Sequence, residues 1–175
     1  IQPGMCIADL GTGSGAIALA IKSECHDIWM LATDFSEAAL QQAKHNAVKN
    51  NLDVHFFRGQ WLDAIQPETL DIIISNPPYI RSDDPHLTNG DLRFEPLSAL
   101  ASGEDGLDDI RLLVHQSSRV LKSDGWLMVE HGYDQSQAVQ VLFQQAGFIE
   151  IQAFQDYGQQ DRVVIGKRSV SGEFR

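Results

Sequence analysis

A glycine-rich segment directly after the first apolar run constrains the fold of this chain more than any other feature. Met5 to Leu10 has the composition of a buried strand, and Ala16 to Glu24 continues with apolar residues at helical spacing. The segment between them consists of Gly11, Thr12, Gly13, Ser14 and Gly15. Glycines permit a tight turn and a close approach of the backbone to a ligand, and the first turn of the helix behind them offers unpaired N–H groups. The pattern therefore predicts a nucleotide-binding strand–loop–helix unit.

The rest of the chain continues this alternation of strands and helices. Apolar runs predict strands at 5–10, 29–33, 54–57, 70–75, 126–130, 148–154 and 163–166. Helical spacing predicts helices at 16–24, 36–50, 108–121 and 136–146. Alternation of this kind is typical of a parallel sheet with helices on both faces, and two final strands with no helix between them indicate an antiparallel edge. We expect an α/β, Rossmann-like fold with a mostly parallel seven-stranded sheet and an antiparallel edge strand.

Composition narrows the class of protein and its partners. The 175 residues are 43% hydrophobic and 21% charged, which predicts one globular domain over 1–168 with a polar tail at 169–175. The formal net charge of −11 argues against direct binding of nucleic acid, which is usually held by basic surfaces. No apolar run approaches the roughly 20 residues of a membrane span. The two cysteines form no metal-ligand pair with the histidines, and free thiols fit a cytoplasmic location. We also expect a monomer that needs no metal.

The glycine loop fits two kinds of nucleotide ligand. Gly11, Gly13 and Ala16 satisfy the dinucleotide pattern, and Asp34 at the end of the second strand can accept hydrogen bonds from both ribose hydroxyls of either ligand. Asp9, just before the glycines, favours S-adenosylmethionine, because an acid there can hold the amino end of a methionine moiety and would repel a pyrophosphate. An NAD oxidoreductase and a non-catalytic module remain alternatives, although no hydride-transfer constellation is visible.

A second segment, Gly59 to Trp61, follows the third strand, where a doubly wound sheet places the adenine. Trp61 can pack on the base and Gln60 can hydrogen-bond to its edge. The alternative for Trp61 is packing in the core.

The tetrapeptide Asn76, Pro77, Pro78 and Tyr79 stands at the end of the fourth strand. An amide nitrogen is a poor nucleophile because its lone pair is delocalised into the carbonyl group. The Asn76 side-chain oxygen and the Pro77 carbonyl can each accept one N–H of a substrate –NH₂, which favours the pyramidal nitrogen and stabilises its developing positive charge. Consecutive prolines stiffen the turn, and Tyr79 can stack on the flat target group. The tetrapeptide predicts methyl transfer to a planar, amide-type nitrogen, with a structural proline turn as the alternative.

Several segments together resemble the catalytic domain of the HemK/PrmC family of protein-(glutamine-N5) methyltransferases, which modify peptide chain release factors. These segments are 9–19, 75–80, 91–96, 103–108, and 130–132 with Gln135. The glycine loop is shared by many methyltransferases, and the tetrapeptide is shared by enzymes that act on exocyclic amino groups of bases. The segment from Arg93 to Asp108 is more specific to this family.

The resemblance implies a set of functional residues. The loop Gly11 to Gly15, with Asp34, Trp61 and Asn76, would bind S-adenosylmethionine, whose product is S-adenosyl-L-homocysteine. The residues from Asn76 to Tyr79 would hold the glutamine of a Gly-Gly-Gln motif in a release factor. The family often carries a small acidic or hydroxyl residue where Gln60 stands. It also has an N-terminal helical domain with no counterpart here, so we expect the catalytic domain alone.

Two other substrates stay open on the sequence: a ribosomal-protein glutamine and an exocyclic amino group of DNA or RNA. The acidic charge and the segment from Arg93 to Asp108 argue against nucleic acid. Among residues near the predicted crevice, we expect Glu95 to order its loop rather than act as a base. We expect His86 and His131 to be solvated loop histidines.

Overall fold

The computed structural model describes residues 1–88, 96 and 99–169, and strands and helices alternate through them. The strands are β1 (Cys6–Leu10), β2 (Trp29–Asp34), β3 (His55–Arg58), β4 (Leu70–Ser75), β5 (Leu121–Glu130), β6 (Phe148–Gln155) and β7 (Asp161–Arg168). The helices are α1 (Ala16–Glu24), α2 (Glu37–Lys49), α3 (Asp108–Val120) and α4 (Ser136–Gln145), and Pro85–Thr88 forms a single 3-10 turn.

All seven strands join one sheet in the order β3-β2-β1-β4-β5-β7-β6. The first five strands in this order pair in parallel, whereas β7 is antiparallel to both β5 and β6. This arrangement confirms the predicted sheet and its antiparallel edge. One boundary was wrong: Leu121, predicted to end a helix, is the first residue of β5 and pairs with Leu70. Its backbone is already extended at the C-cap of α3, with φ −64° and ψ 142°.

Apolar side chains fill both faces of the sheet. On one face, α3 and α4 bury Ile110, Leu113 and Phe143 against the central strands. On the other face, Ala18 of α1 packs with Met30 and neighbouring strand residues. Because β1 and β4 are covered on both sides, residues that point to either face of these strands are buried, and most of them are apolar. Helices therefore cover both faces, as the sequence predicts.

The order of the strands determines where the functional residues meet. The adjacent parallel strands β1, β2 and β4 end at Leu10, Asp34 and Ser75, so these three ends lie at one edge of the sheet. The Ser75 hydroxyl donates to the Leu10 carbonyl at 2.8 Å and ties two of the ends together. Crevices at the carboxyl ends of strands are the usual ligand sites of open α/β sheets.

The long aperiodic segment after β4 returns to its own start. Ile80 pairs with Ala101 in an isolated parallel bridge. The Ile80 N–H donates to the Leu100 carbonyl at 2.9 Å, and the Ser102 N–H donates to the Ile80 carbonyl at 2.9 Å. The two ends of the segment are thereby fixed beside the tetrapeptide. Glu95 lies outside the described residues, as does most of the polar tail predicted at 169–175.

Candidate active site

A cavity of about 1080 Å³ opens at the carboxyl edge of the sheet. Ligand pockets in proteins usually measure about 300–1,000 Å³, so this one is large enough for a nucleoside cofactor and part of a substrate. Nine of the residues selected from the sequence line it: Gly11, Gly13, Asp34, Gln60, Trp61, Asn76, Pro77, Pro78 and Tyr79. The glycine loop and the tetrapeptide thus face one crevice, although more than 60 residues separate them in the chain.

Asp34 joins the glycine loop to the wall of the cavity. One carboxylate oxygen accepts the Gly13 N–H at 3.0 Å, and the other accepts the Ser36 N–H at 2.8 Å. The side chain is mostly buried but still lines the cavity. A carboxylate has about four lone-pair directions, so these two bonds leave acceptor capacity for a ligand's hydroxyl groups.

Asp9 lies beneath the loop and is not part of the cavity lining. Its Oδ2 atom accepts from the Thr12 hydroxyl at 2.6 Å and from the Ala18 N–H at 3.1 Å. Burial raises the pKa of this carboxyl group, and the same two hydrogen bonds oppose that rise. The Oδ1 atom is buried and has no partner among the described residues. Asp9 therefore connects the loop to the start of α1, and any effect of its charge on a ligand acts through the loop.

Three further loop residues also lie outside the lining. Thr12 is buried against Asp9. The Ser14 carbonyl accepts from the Asn46 side chain at 2.9 Å, which ties the loop to α2. Gly15, the N-cap of α1, has φ +83°, and a β-carbon there would stand 3.1 Å from the Ala43 β-carbon. These contacts shape the loop whose Gly11 and Gly13 form the cavity surface.

Trp61 closes the cavity over the glycine loop. Its ring lies 3.2 Å from the position that a β-carbon on Gly11 would occupy, and its indole N–H donates to the Asp109 carboxylate at 3.1 Å. The side chain is half-buried against the core and also lines the cavity. Its φ of +46° is strained for a bulky residue, and such strain persists only where surrounding contacts hold it. The core contact and the cavity contact, which the sequence presents as alternatives, are both made.

The residues of the tetrapeptide line the cavity but differ in their exposure to solvent. Asn76 is exposed, Pro77 is buried, and Tyr79 is half-buried. The Tyr79 hydroxyl donates to the Glu130 carboxylate in a long contact of 3.4 Å. Burial and the nearby Glu130 charge raise the pKa of the Tyr79 phenol, while the positive charge of Arg162 lowers it. The phenol is therefore protonated at neutral pH and acts as a hydrogen-bond donor.

Sequence reasoning missed several residues at the cavity. Phe35, directly after Asp34, is 55% exposed and lines the wall. Its position directly after the second strand could have identified it as a cavity residue. Asp109, in the first turn of α3, lines the cavity and holds Trp61. That long-range pairing left no trace in the local pattern.

The expectation for His131 was wrong. This residue is fully buried rather than solvated, because the pairing of β5 with β7 continues past Glu130 and the His131 N–H donates to the Arg162 carbonyl at 2.9 Å. Its ring atom Nδ1 lies 2.8 Å from the Gly132 carbonyl. The backbone of His86 belongs to the 3-10 turn, but its side chain lies outside the described part of the chain.

The described residues contain neither a membrane-spanning helix nor a cluster of metal ligands. None of the helices there is long and apolar enough to cross a membrane. No group of three or more histidine, cysteine, aspartate or glutamate side chains within the same residues could hold a metal ion.

The sheet order, with a glycine loop after β1 and an acid at the end of β2, is that of the class I, Rossmann-like methyltransferase fold. Residues 2–90 match the family model described as "Methyltransferase small domain". The chain belongs to this methyltransferase family.

Curated relatives carry a more specific name. The release factor glutamine methyltransferase of Xylella fastidiosa (strain Temecula1) is 52% identical over 162 residues, covering 92% of this chain and 59% of that protein. The protein of the same name from Escherichia coli (strain K12) is 42% identical over 165 residues, covering 92% of this chain and 58% of that protein. The chain thus spans about three fifths of the length of these relatives.

A solved structure supports the fold. The methyltransferase from Pyrococcus furiosus superimposes with a TM-score of 0.74 at 17% identity, covering 97% of this chain and 77% of that one.

Proposed function

We propose that this chain transfers a methyl group from S-adenosylmethionine to the side-chain amide nitrogen, N5, of the glutamine in the Gly-Gly-Gln motif of peptide chain release factors. The observation that carries the proposal is the single crevice shared by the glycine loop, Asp34 and the Asn76–Tyr79 tetrapeptide. A nucleotide-binding half and an amide-binding half face each other there. The curated relatives named above support the choice of substrate.

The chain's own groups fit S-adenosylmethionine. Asp34 keeps free acceptor capacity toward the cavity, which suits the two ribose hydroxyls. Trp61, Gln60 and Phe35 provide a partly apolar wall for the adenine. When bound, the cofactor supplies a methyl group activated by its attachment to a sulfonium.

Asn76 and Pro77 would prepare the substrate nitrogen. The Asn76 side chain is exposed to the cavity, and its oxygen can accept one N–H of the glutamine amide. The carbonyl of the buried Pro77 can accept the other. Two acceptors fixed in place favour the pyramidal nitrogen, whose lone pair is no longer delocalised, and they stabilise the positive charge that develops on it. The nitrogen would accept the methyl group with its freed lone pair as the bond from that group to sulfur breaks, and S-adenosyl-L-homocysteine would leave with the electron pair of that bond. The methylated nitrogen is then cationic and acidic and releases one proton to water, so no strong base is needed to create the nucleophile.

Tyr79 would bind the planar face of the substrate amide. Its phenol donates to Glu130, and its ring lines the cavity next to the two prolines. A ring whose hydroxyl is held in this way loses little conformational entropy when a substrate stacks on it. Pro77 and Pro78 have fixed φ angles, which limits the reordering of this turn during binding.

The choice of a protein substrate agrees with the charge of the chain. A net charge of −11 disfavours nucleic acid, although the same tetrapeptide chemistry would suit an exocyclic amino group of a base. A ribosomal-protein glutamine would present the same amide as a release factor. The proposal therefore rests on the relatives for the identity of the protein, and it puts the reaction in the cytoplasm, where translation ends.

The test is a methyl-transfer assay with labelled S-adenosylmethionine and four acceptors in parallel. These are a release factor, the same factor with its motif glutamine replaced by glutamate, a ribosomal-protein preparation, and RNA with DNA. We expect label on the unmodified release factor and none on the glutamate form, with tandem mass spectrometry assigning the methyl group to the motif glutamine. Label on nucleic acid or on ribosomal protein in preference to the release factor would reject the proposed substrate.

A further inference from the structure

One glutamine side chain connects three segments that are far apart in the sequence. Gln135, just before α4, is 8% exposed. Its Nε2 atom donates to the Tyr79 carbonyl at 3.0 Å and to the Asp105 carbonyl at 3.2 Å. Its Oε1 atom accepts the Gly132 N–H at 2.8 Å. Both amide hydrogens and the amide oxygen are therefore engaged, and each is engaged by the backbone of a different segment.

Gln135 makes these bonds instead of capping its own helix. It occupies the N-cap position of α4, where polar side chains usually accept an N–H from the first turn, but no such bond forms. The amide reaches away from its own helix, toward the tetrapeptide. A side chain used for helix stability alone would make the local bond.

The packing around this amide leaves no space for an additional side-chain atom at Gly106. Gly106 has φ +77°, and a β-carbon there would stand 2.3 Å from the Tyr79 carbonyl oxygen and 2.7 Å from Gln135 Nε2. The segment containing Asp105 and Gly106 thus packs directly against the hydrogen bond between Gln135 and Tyr79. Burial in such a site makes the loss of a hydrogen-bonding partner expensive.

We infer that Gln135 is a positioning residue that sets the tetrapeptide for methyl transfer by holding the Tyr79 carbonyl. This inference rests on the proposed function. Tyr79 is held at its phenol by Glu130 and at its carbonyl by Gln135. Pro77 and Pro78 transmit the orientation of Tyr79 to Asn76, because their fixed φ angles leave few adjustable torsions in the turn. The cofactor half of the cavity, around Asp34, has no contact with Gln135 among the bonds described above.

The test replaces Gln135 with an isostere that keeps the acceptor and removes the donors. Gln135→Glu retains an oxygen for the Gly132 N–H but turns a carboxylate oxygen toward two carbonyls. Its negative charge at the start of α4 is favourable for the helix, so a role limited to the stability of α4 predicts wild-type activity or better. Gln137→Glu makes the same charge change at an exposed position of the same helix and is the matched control. Gln135→Met, similar in length but without a polar group, serves if the carboxylate variant does not fold.

We expect Gln135→Glu to lower kcat by about 10- to 100-fold, as for the loss of two buried hydrogen bonds, while Gln137→Glu leaves it unchanged. The Kd for S-adenosylmethionine should be unchanged in both variants. Amide hydrogen exchange should become faster at Ile80, whose N–H follows the Tyr79 carbonyl. A kcat equal to that of the control, or a cofactor affinity that falls in parallel with kcat, would overturn the inference. If the unmodified chain transfers no methyl group, the proposed function fails and the role of Gln135 in methyl transfer fails with it. Exchange at Ile80 then decides only whether Gln135 restrains the tetrapeptide: faster exchange in Gln135→Glu supports that restraint, and unchanged exchange overturns it.

Discussion

Removal of the Asp34 carboxylate is the sharpest perturbation of the cofactor half of the cavity. Asp34→Ala deletes the acceptor of the Gly13 and Ser36 N–H groups and the acceptor capacity that faces the cavity. The first loss affects the protein alone, whereas the second affects the bound ribose. The two effects are separated when stability and ligand affinity are measured on the same variant.

The magnitude follows from the charge of the lost acceptor. A hydrogen bond to a charged group contributes about 1.5–3 kcal/mol. At about 1.4 kcal/mol per tenfold change, the loss of one such bond to the ribose weakens the Kd for S-adenosylmethionine by roughly 10- to 150-fold. Loss of a second bond to the ribose would weaken the Kd further, although the two losses need not add.

The assay is calorimetric titration with S-adenosylmethionine, together with thermal unfolding to establish the folded fraction. Asp53→Ala is the matched control, because it removes the same charge from an exposed position just before β3, at the opposite edge of the sheet. The control should bind like the wild type, which excludes a general effect of net charge on a cationic ligand. Unchanged affinity in a folded Asp34→Ala variant would refute the assignment of Asp34 to the ribose.

Two further predictions concern the groups beneath the cavity. Gly106→Ala places a β-carbon against the Tyr79 carbonyl at a positive φ, so kcat should fall while cofactor binding, measured by titration, persists; normal kcat would contradict the tight contact. The pKa of Asp9 is raised above its ordinary value of 3.8 by burial, so the native state holds this proton more tightly than the unfolded state. The contribution of Asp9 to the free energy of unfolding should therefore fall as pH rises above 3.8. Urea titrations of the wild type and Asp9→Asn at several pH values measure this contribution as the difference between their free energies of unfolding. The wild type should lose stability relative to Asp9→Asn as pH rises, and a constant difference would contradict the prediction.

The sequence predicted the parts of the site that follow from strand ends. The glycine loop, Asp34 and the tetrapeptide each stand immediately after a strand, and parallel strands bring their carboxyl ends to one edge. The position of Asp9 beneath the loop could also have been predicted from the sequence. Alternation along β1 puts it on the same face as Ile7, which packs against Ala18 of α1, and so beneath the loop.

The missed features depend on contacts between distant segments. The indole of Trp61 pairs with Asp109, and Gln135 with Tyr79, across separations of 48 and 56 residues. Local composition carries no signal for such pairs. The burial of His131 follows from one backbone bond to β7, beyond the last residue of β5, which periodicity could not resolve.

The most direct test of the shared crevice is a kinetic comparison of Asn76→Ala and Asn76→Asp with the wild type on a Gly-Gly-Gln substrate. Asn76 is proposed to act mainly in the transition state, so its loss should lower kcat more than it weakens cofactor binding or raises KM. By analogy with the loss of one oxyanion-hole donor, Asn76→Ala should lose about 10²–10³ in kcat, and Asn76→Asp, which keeps an acceptor, should retain more activity. A folded Asn76→Ala variant with near-normal kcat would contradict the proposed mechanism.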